Sequence, residues 1–126
     1  MNLPNTYRNL IENQIKVDYT MAYADEPGFR ASTCTPFFWY DLERETITDL
    51  LVCPTAVMDQ TLRFYKKLSP TDALKEITVL LNHVKAVNGT FVSLWHNESI
   101  SGFGVWKDWE NVYIEMLRMA TKISED

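Results

Sequence analysis

The sequence predicts an α/β fold that forms part of a (β/α) barrel, and three observations lead there. Apolar residues recur with helical spacing in some segments and as short continuous runs in others, in the order helix, strand, strand, strand, helix, strand, helix. Most of the strand-to-strand connections are long enough for parallel pairing. The chain has 126 residues, begins on a helix and offers three to four strands, whereas a complete barrel takes roughly 200 residues or more. With 46% hydrophobic and 23% charged residues, residues 1–126 are expected to form a single domain around one core.

The elements are expected as follows. Tyr7, Leu10, Ile11 and Ile15 fall on one helical face, so a short amphipathic helix is expected over Asn5 to Lys16. Val17 to Ala24 reads as a strand, ended by the turn Asp25-Glu26-Pro27-Gly28. The segment Phe29 to Asp41 then combines a single arginine, small and hydroxyl side chains, a proline and four consecutive aromatics. Its Phe37-Phe38-Trp39-Tyr40 run is either a strand buried on both faces or the wall of a groove for a planar or sugar-like ligand. Ile47 to Cys53 is a further strand, stopped by Pro54.

Val57 to Tyr65 has helical spacing but is short, and Asp59 lies near its start, where the helix dipole favours a carboxylate. Ser69 as N-cap and Pro70 at the first position open a long helix. Its stripe runs through Ala73, Leu74, Ile77, Leu80, Leu81, Val84 and Val87 until Asn88-Gly89 ends it. His83 lies roughly 120° from the stripe at 100° per residue and is expected to face solvent. Thr90 to Trp95 reads as a buried strand that hands His96 to the rim of a sheet, ahead of a loop of small residues, Ser101-Gly102-Phe103-Gly104. A last helix puts Trp106, Trp109, Val112, Tyr113, Met116, Leu117 and Ala120 on one face, and the end, Ile123 to Asp126, is expected to fray.

Several function classes drop out on composition. The net charge of -5, with scattered Lys and Arg, argues against nucleic acid, whose phosphates need clustered cations. No apolar run approaches the roughly 20 residues that span a bilayer, so no membrane contact is expected. The start, Met1-Asn2-Leu3-Pro4-Asn5, is unlike a secretion signal, and a cytoplasmic location is expected for the chain as written. Cys34 and Cys53 sit in no metal spacing and are expected to be unpaired.

The chemistry concentrates at His96. His96-Asn97-Glu98 matches the His-x-Glu of zinc deaminases, but both cysteines lie upstream, where they cannot complete that site. With His83 set aside one histidine remains, too few for a zinc site of three or four protein ligands, so no metal is assigned to this chain. What the residues do support is acid–base chemistry: His96 at a strand end, Asp59 or Glu98 to tune it, Arg30 to orient a second group, and aromatics as a substrate wall.

Gly28-Phe29-Arg30-Ala31-Ser32-Thr33-Cys34-Thr35-Pro36-Phe37, then Val57-Met58-Asp59, then Leu94-Trp95-His96-Asn97 resemble, in order, the polysaccharide deacetylases of the fourth carbohydrate esterase family, most of all the C-terminal region of a bacterial branch. The resemblance spans essentially the whole chain. It implies about half of a distorted polysaccharide-deacetylase-type barrel, a hydrolase of carbohydrate metabolism in which a divalent, zinc-like metal activates water to remove N- or O-acetyl groups from a sugar. By the same resemblance Arg30 orients the catalytic-base aspartate, Asp59 tunes the catalytic histidine, and His96 is the general acid. Leu94 lines the acetyl pocket, and Trp95, Phe37, Phe38 and Trp39 contact the acetylated carbohydrate.

The family's aspartate pair and its His-x-x-x-His metal pair have no counterpart before Gly28. Without the metal, bound water keeps a high pKa and Lewis-acid stabilisation of the transition state is lost. The isolated chain is therefore expected to be inactive. The alternative expectation is a non-catalytic carbohydrate- or partner-binding module. A half barrel also leaves sheet edges open, so self-association, or pairing with the missing N-terminal half, is expected.

Overall fold

The structure, a computed structural model, describes residues 1–122; the expected fraying of residues 123–126 lies outside them. Along the chain come α1 (Asn5–Glu12), β1 (Val17–Asp18), β2 (Phe37–Asp41), β3 (Thr46–Val52), β4 (Val57–Met58), a π-helical turn (Thr61–Tyr65), α2 (Pro70–Ala86), β5 (Ser93–Leu94) and α3 (Trp109–Thr121). Two 3-10 turns, Asn97–Ile100 and Gly104–Trp106, join β5 to α3. The class is mixed α/β, with small open sheets.

One sheet has the order β1-β3-β2, with β1 parallel and β2 antiparallel to β3; the other pairs β4 with β5 in parallel. The two are nearly continuous, because the extended chain from β3 into β4 is gripped from both sides. Cys53 N donates to Asp18 O at 2.8 Å and Thr55 N to Met21 O at 3.1 Å on one side, while Ala56 N donates to Val92 O at 2.8 Å on the other. Successive amides of an extended strand point in opposite directions, so a single run carries both neighbours. Its far end delivers Asp59.

α2 forms where the local signals place it. The Ser69 hydroxyl accepts from Asp72 N at 3.1 Å, and Pro70 occupies the first turn, where its missing N–H costs nothing. At the other end Asn88 adopts φ 52°, a left-handed conformation that asparagine tolerates. Asn88 N then donates to Lys85 O at 3.1 Å and Gly89 N to Val84 O at 2.9 Å, the paired bonds of a Schellman termination.

Gly89 is required by proximity, since a Cβ there would overlap the sulfur of buried Cys34. Gly89→Ala is expected to destabilise by about 1–3 kcal/mol through overpacking. Removing the sulfur in Gly89→Ala/Cys34→Ala should recover part of that, as a chemical-denaturation double-mutant cycle would measure.

Two apolar clusters hold the elements. The larger joins Val57, Leu62, Ala73, Ile77, Leu81, Trp106, Trp109, Val112 and Met116, so that α2 and α3 pack over β4. The smaller is Tyr7, Met21, Leu50 and Val52, with Phe37 and Trp39 against it. Trp106 stacks edge-to-face on Trp109 at 5.6 Å between ring centroids. His83 is exposed and both cysteines are free, as expected.

Several expectations are corrected. The first helix stops at Glu12 because Gln14 takes φ 62°, which leaves Ile15 44% exposed outside it. Val57 and Met58 are strand, since β5 offers them a parallel partner, and the helical turns begin only after them. Val87, Leu117 and Ala120 are exposed, because the fully buried stripes are narrower than expected: Ala73, Ile77, Leu81 and Val84 on α2, and Trp109, Val112 and Met116 on α3. β2 is buried on one face only: Phe37, Trp39 and Asp41 point inward while Phe38 and Tyr40 point out. β5 has a partner on one side only and is a half-exposed edge.

A carboxylate clasp ties α1 to the β2–β3 turn. Arg8 Nε and Nη2 donate to the two oxygens of buried Asp41 at 2.7 and 2.8 Å, and Arg44 N adds a bond at 3.2 Å. The Arg8 hydrogen bonds, followed by the Arg44 amide, hold the Asp41 carboxyl below the usual carboxylate range against the opposing effect of burial. A folded-state value below the unfolded one stabilises the fold above the unfolded pKa, about 3.9, and that stabilisation fades as pH falls through the folded value. Asp41→Asn should therefore be less stable than the parent at pH 6, with the gap narrowing as the pH approaches 2. Urea midpoints across that range would read it.

No helix among the described residues is long and apolar enough to cross a membrane.

Candidate functional site

The site is built where two parallel strands end. β4 runs out into Asp59, and β5 runs through Leu94 and Trp95 into His96, so their register (Val57 with Ser93, Met58 with Leu94) sets the two side chains together. Asp59 is completely buried, while the His96 side chain is 45% exposed. The imidazole Nδ1 lies 2.9 Å from Asp59 Oδ1 and 3.1 Å from Oδ2. An ionised carboxylate only accepts, so that contact requires the proton on Nδ1 and leaves Nε2 as the nitrogen able to face a ligand.

The Asp59 carboxylate is held by more than the imidazole. His96 N donates to Oδ2 at 2.7 Å, Gln60 N to Oδ1 at 2.6 Å, and the Ser99 hydroxyl to Oδ2. Four donors fill its acceptor capacity, which is how a carboxylate survives complete burial. Asp59 thus meets the start of a helical segment and also reaches across 37 residues to His96.

Ser99, His96 and Asp59 are the residue types of a serine-esterase triad, but they are wired differently. Ser99 is fully buried and gives its hydroxyl to Asp59, whereas a nucleophile must stand on the open side of the imidazole. What the arrangement can do is hold a ring in one tautomer and move a proton at Nε2.

The other candidate residues are dispersed. Arg30 is exposed and makes no hydrogen bond or ion pair with Asp59 or His96 among the described residues; its charge acts on the Tyr7 phenol. Tyr7 donates to Asp18 at 3.0 Å, and burial followed by this bond drives its pKa well above the ordinary phenol range. Glu98 bonds the Gln60 side chain at 3.3 Å, so Asp59 and not Glu98 partners the histidine. Leu94 is 49% exposed beside His96. Trp95 packs on Tyr113 with centroids 5.3 Å apart, and its buried indole N–H has no hydrogen-bond partner among the described residues.

Phe37 and Trp39 belong to the smaller cluster, and Phe38 faces outward. Trp39 and Tyr40 line an apolar pocket of about 280 Å³ with Leu3 and Leu42, next to the start of β3, whereas the dyad lies past the end of β4. Sequence reasoning missed Ser99. Its only signal was its place three residues after His96, the reach of a single 3-10 turn.

The divalent metal that the resemblance implies is not matched by this donor set. His83 lies on the exposed face of α2, the His96 Nδ1 is committed to Asp59, and among the described residues no three His, Cys, Asp or Glu side chains converge to hold an ion. Comparisons of the chain with protein-family models, with curated proteins and with solved structures gave no significant match.

Proposed function

We propose that this chain is the C-terminal part of a polysaccharide-deacetylase-like hydrolase acting on N- or O-acetylated sugars, and that it contributes the general acid, His96. The observation that carries the reading is the pair of buried Asp59 and half-exposed His96 at the ends of two parallel strands, with Leu94 exposed beside it. Asp59 fixes the ring through Nδ1, so that the ring, protonated at both nitrogens, passes its Nε2 proton to the departing sugar amine or alcohol as the acyl–heteroatom bond breaks and is left as the Nδ1–H tautomer. Leu94 supplies apolar surface suited to an acetyl methyl group. The chain's small open sheets, with strands parallel across β1, β3–β4 and β5, are consistent with about half of a distorted (β/α) barrel.

On this reading the base and the metal ligands are supplied by polypeptide outside this chain. The chain alone then releases no acetate from an acetylated sugar oligomer, and joining it to a barrel half that carries an aspartate base and metal ligands produces release. Acetate release by the chain alone that disappears in His96→Ala would overturn the division of labour. β2 is one of the two edges of its sheet and carries Phe37 to Tyr40 without a charge, so self-association through a partner strand is expected. A monomer by light scattering at micromolar concentration would contradict that.

A further inference from the structure

We infer that Ser99 is a positioning residue for His96, acting through Asp59. The inference rests on the general-acid reading only for what His96 does; the wiring itself is structural.

One 3-10 turn makes the arrangement. Ser99 N donates to His96 O at 3.1 Å, which brings the Ser99 side chain and the His96 backbone N–H to the same side of the turn. Both then donate to a single oxygen, Asp59 Oδ2. The other oxygen, Oδ1, takes Gln60 N and the shorter of the two imidazole contacts. The carboxylate is thereby pinned at both oxygens, so it cannot turn about its Cβ–Cγ bond without giving up donors in a fully buried place.

The consequence passes to the ring. Nδ1 is held to Asp59 only as long as Oδ1 stays aimed at it, and the ring is half-exposed, with no hydrogen bond to Nε2 among the described residues. Without the Ser99 hydroxyl, Oδ2 keeps one strong donor, the His96 amide, and the carboxylate gains freedom to draw Nδ1 toward either oxygen. Ser99 is completely buried, so its hydroxyl has no access to solvent or substrate, and its part in the chemistry is indirect.

Ring ¹⁵N and proton NMR of the full chain tests this without any hydrolysis assay. In the parent, the neutral His96 ring should be in a single Nδ1–H tautomer, with that proton protected from solvent exchange. Ser99→Ala should stay folded by amide fingerprint yet show shifted and broadened ring ¹⁵N signals and Nδ1–H exchange about tenfold faster or more, as befits losing a hydrogen bond to a charged group. Ser99→Thr, which retains the hydroxyl, should restore the parent ring signals. Should Ser99→Ala fail to fold, the near-isosteric weak donor of Ser99→Cys provides the same comparison.

A parent ring in the Nε2–H tautomer or an even mixture would overturn the inference, as would ring signals unchanged in Ser99→Ala while Asp59→Asn alters them. Failure of acetate release in the joined domain, with these ring signatures intact, would instead count against the hydrolase reading alone.

Discussion

Asp59→Ala is expected to lower the stability of the chain by about 3–5 kcal/mol, the range seen when one partner of a buried charged network is removed. The substitution leaves two backbone amides, the Ser99 hydroxyl and the imidazole Nδ1 without the acceptor they share. The site is fully buried, so water cannot simply take the place of the carboxylate. Small domains have only about 5–15 kcal/mol to lose, and the variant should unfold at a much lower urea concentration. Asp59→Asn keeps one acceptor oxygen but turns an amide N–H₂ toward donors, and should fall between the two. If Asp59→Ala unfolds at the parent midpoint, the network has no energetic weight and the carboxylate is only a bystander of the turn.

His96→Ala should behave in the opposite way. The ring is 45% exposed and belongs to neither apolar cluster, so its loss removes one hydrogen bond from Asp59 and little packing, about 1–2 kcal/mol. In a domain joined to the base and metal ligands, the same substitution should reduce acetate release by about 10²- to 10⁴-fold, the contribution typical of a positioned general acid. Thermal melts and acetate assays on one preparation separate the two effects. Activity within tenfold of the parent would assign the proton transfer to another group, even if the dyad geometry is intact.

The contrast between these variants follows from how the pair is built. Asp59 is buried inside, and His96 is half-exposed outside. Joining them through Nδ1 couples the two without exposing the carboxylate, so that on the general-acid reading the buried partner sets the tautomer and the exposed partner meets the ligand.

Much of the secondary structure was legible because its causes are local. Ser69 and Pro70 start α2, and Asn88-Gly89 end it, through bonds spanning three to five residues. The stripe from Ala73 to Val84 needed only the helical period to identify its buried face. Local patterning failed where a neighbour distant in sequence decided the outcome. Val57 and Met58 have helical spacing with the residues after them, but the parallel edge of β5 makes them strand. The aromatic run was open to two readings in sequence; pairing with β3 resolved it into alternate faces, with Trp39 against Tyr7 at 5.4 Å and Phe38 outside.

By itself the sequence determined the α/β class, the long capped helix, and His96 as the residue where an apolar strand meets polar neighbours, since propensity, capping and period are read along the chain. Only the tertiary structure decided that Asp59, and not Glu98, holds that histidine, that Ser99 braces the carboxylate, and that Arg30 stands apart from both. Those choices rest on hydrogen bonds between groups 37 to 40 residues apart, and such bonds become possible only when β4 and β5 pair in register and close the intervening helix into the core.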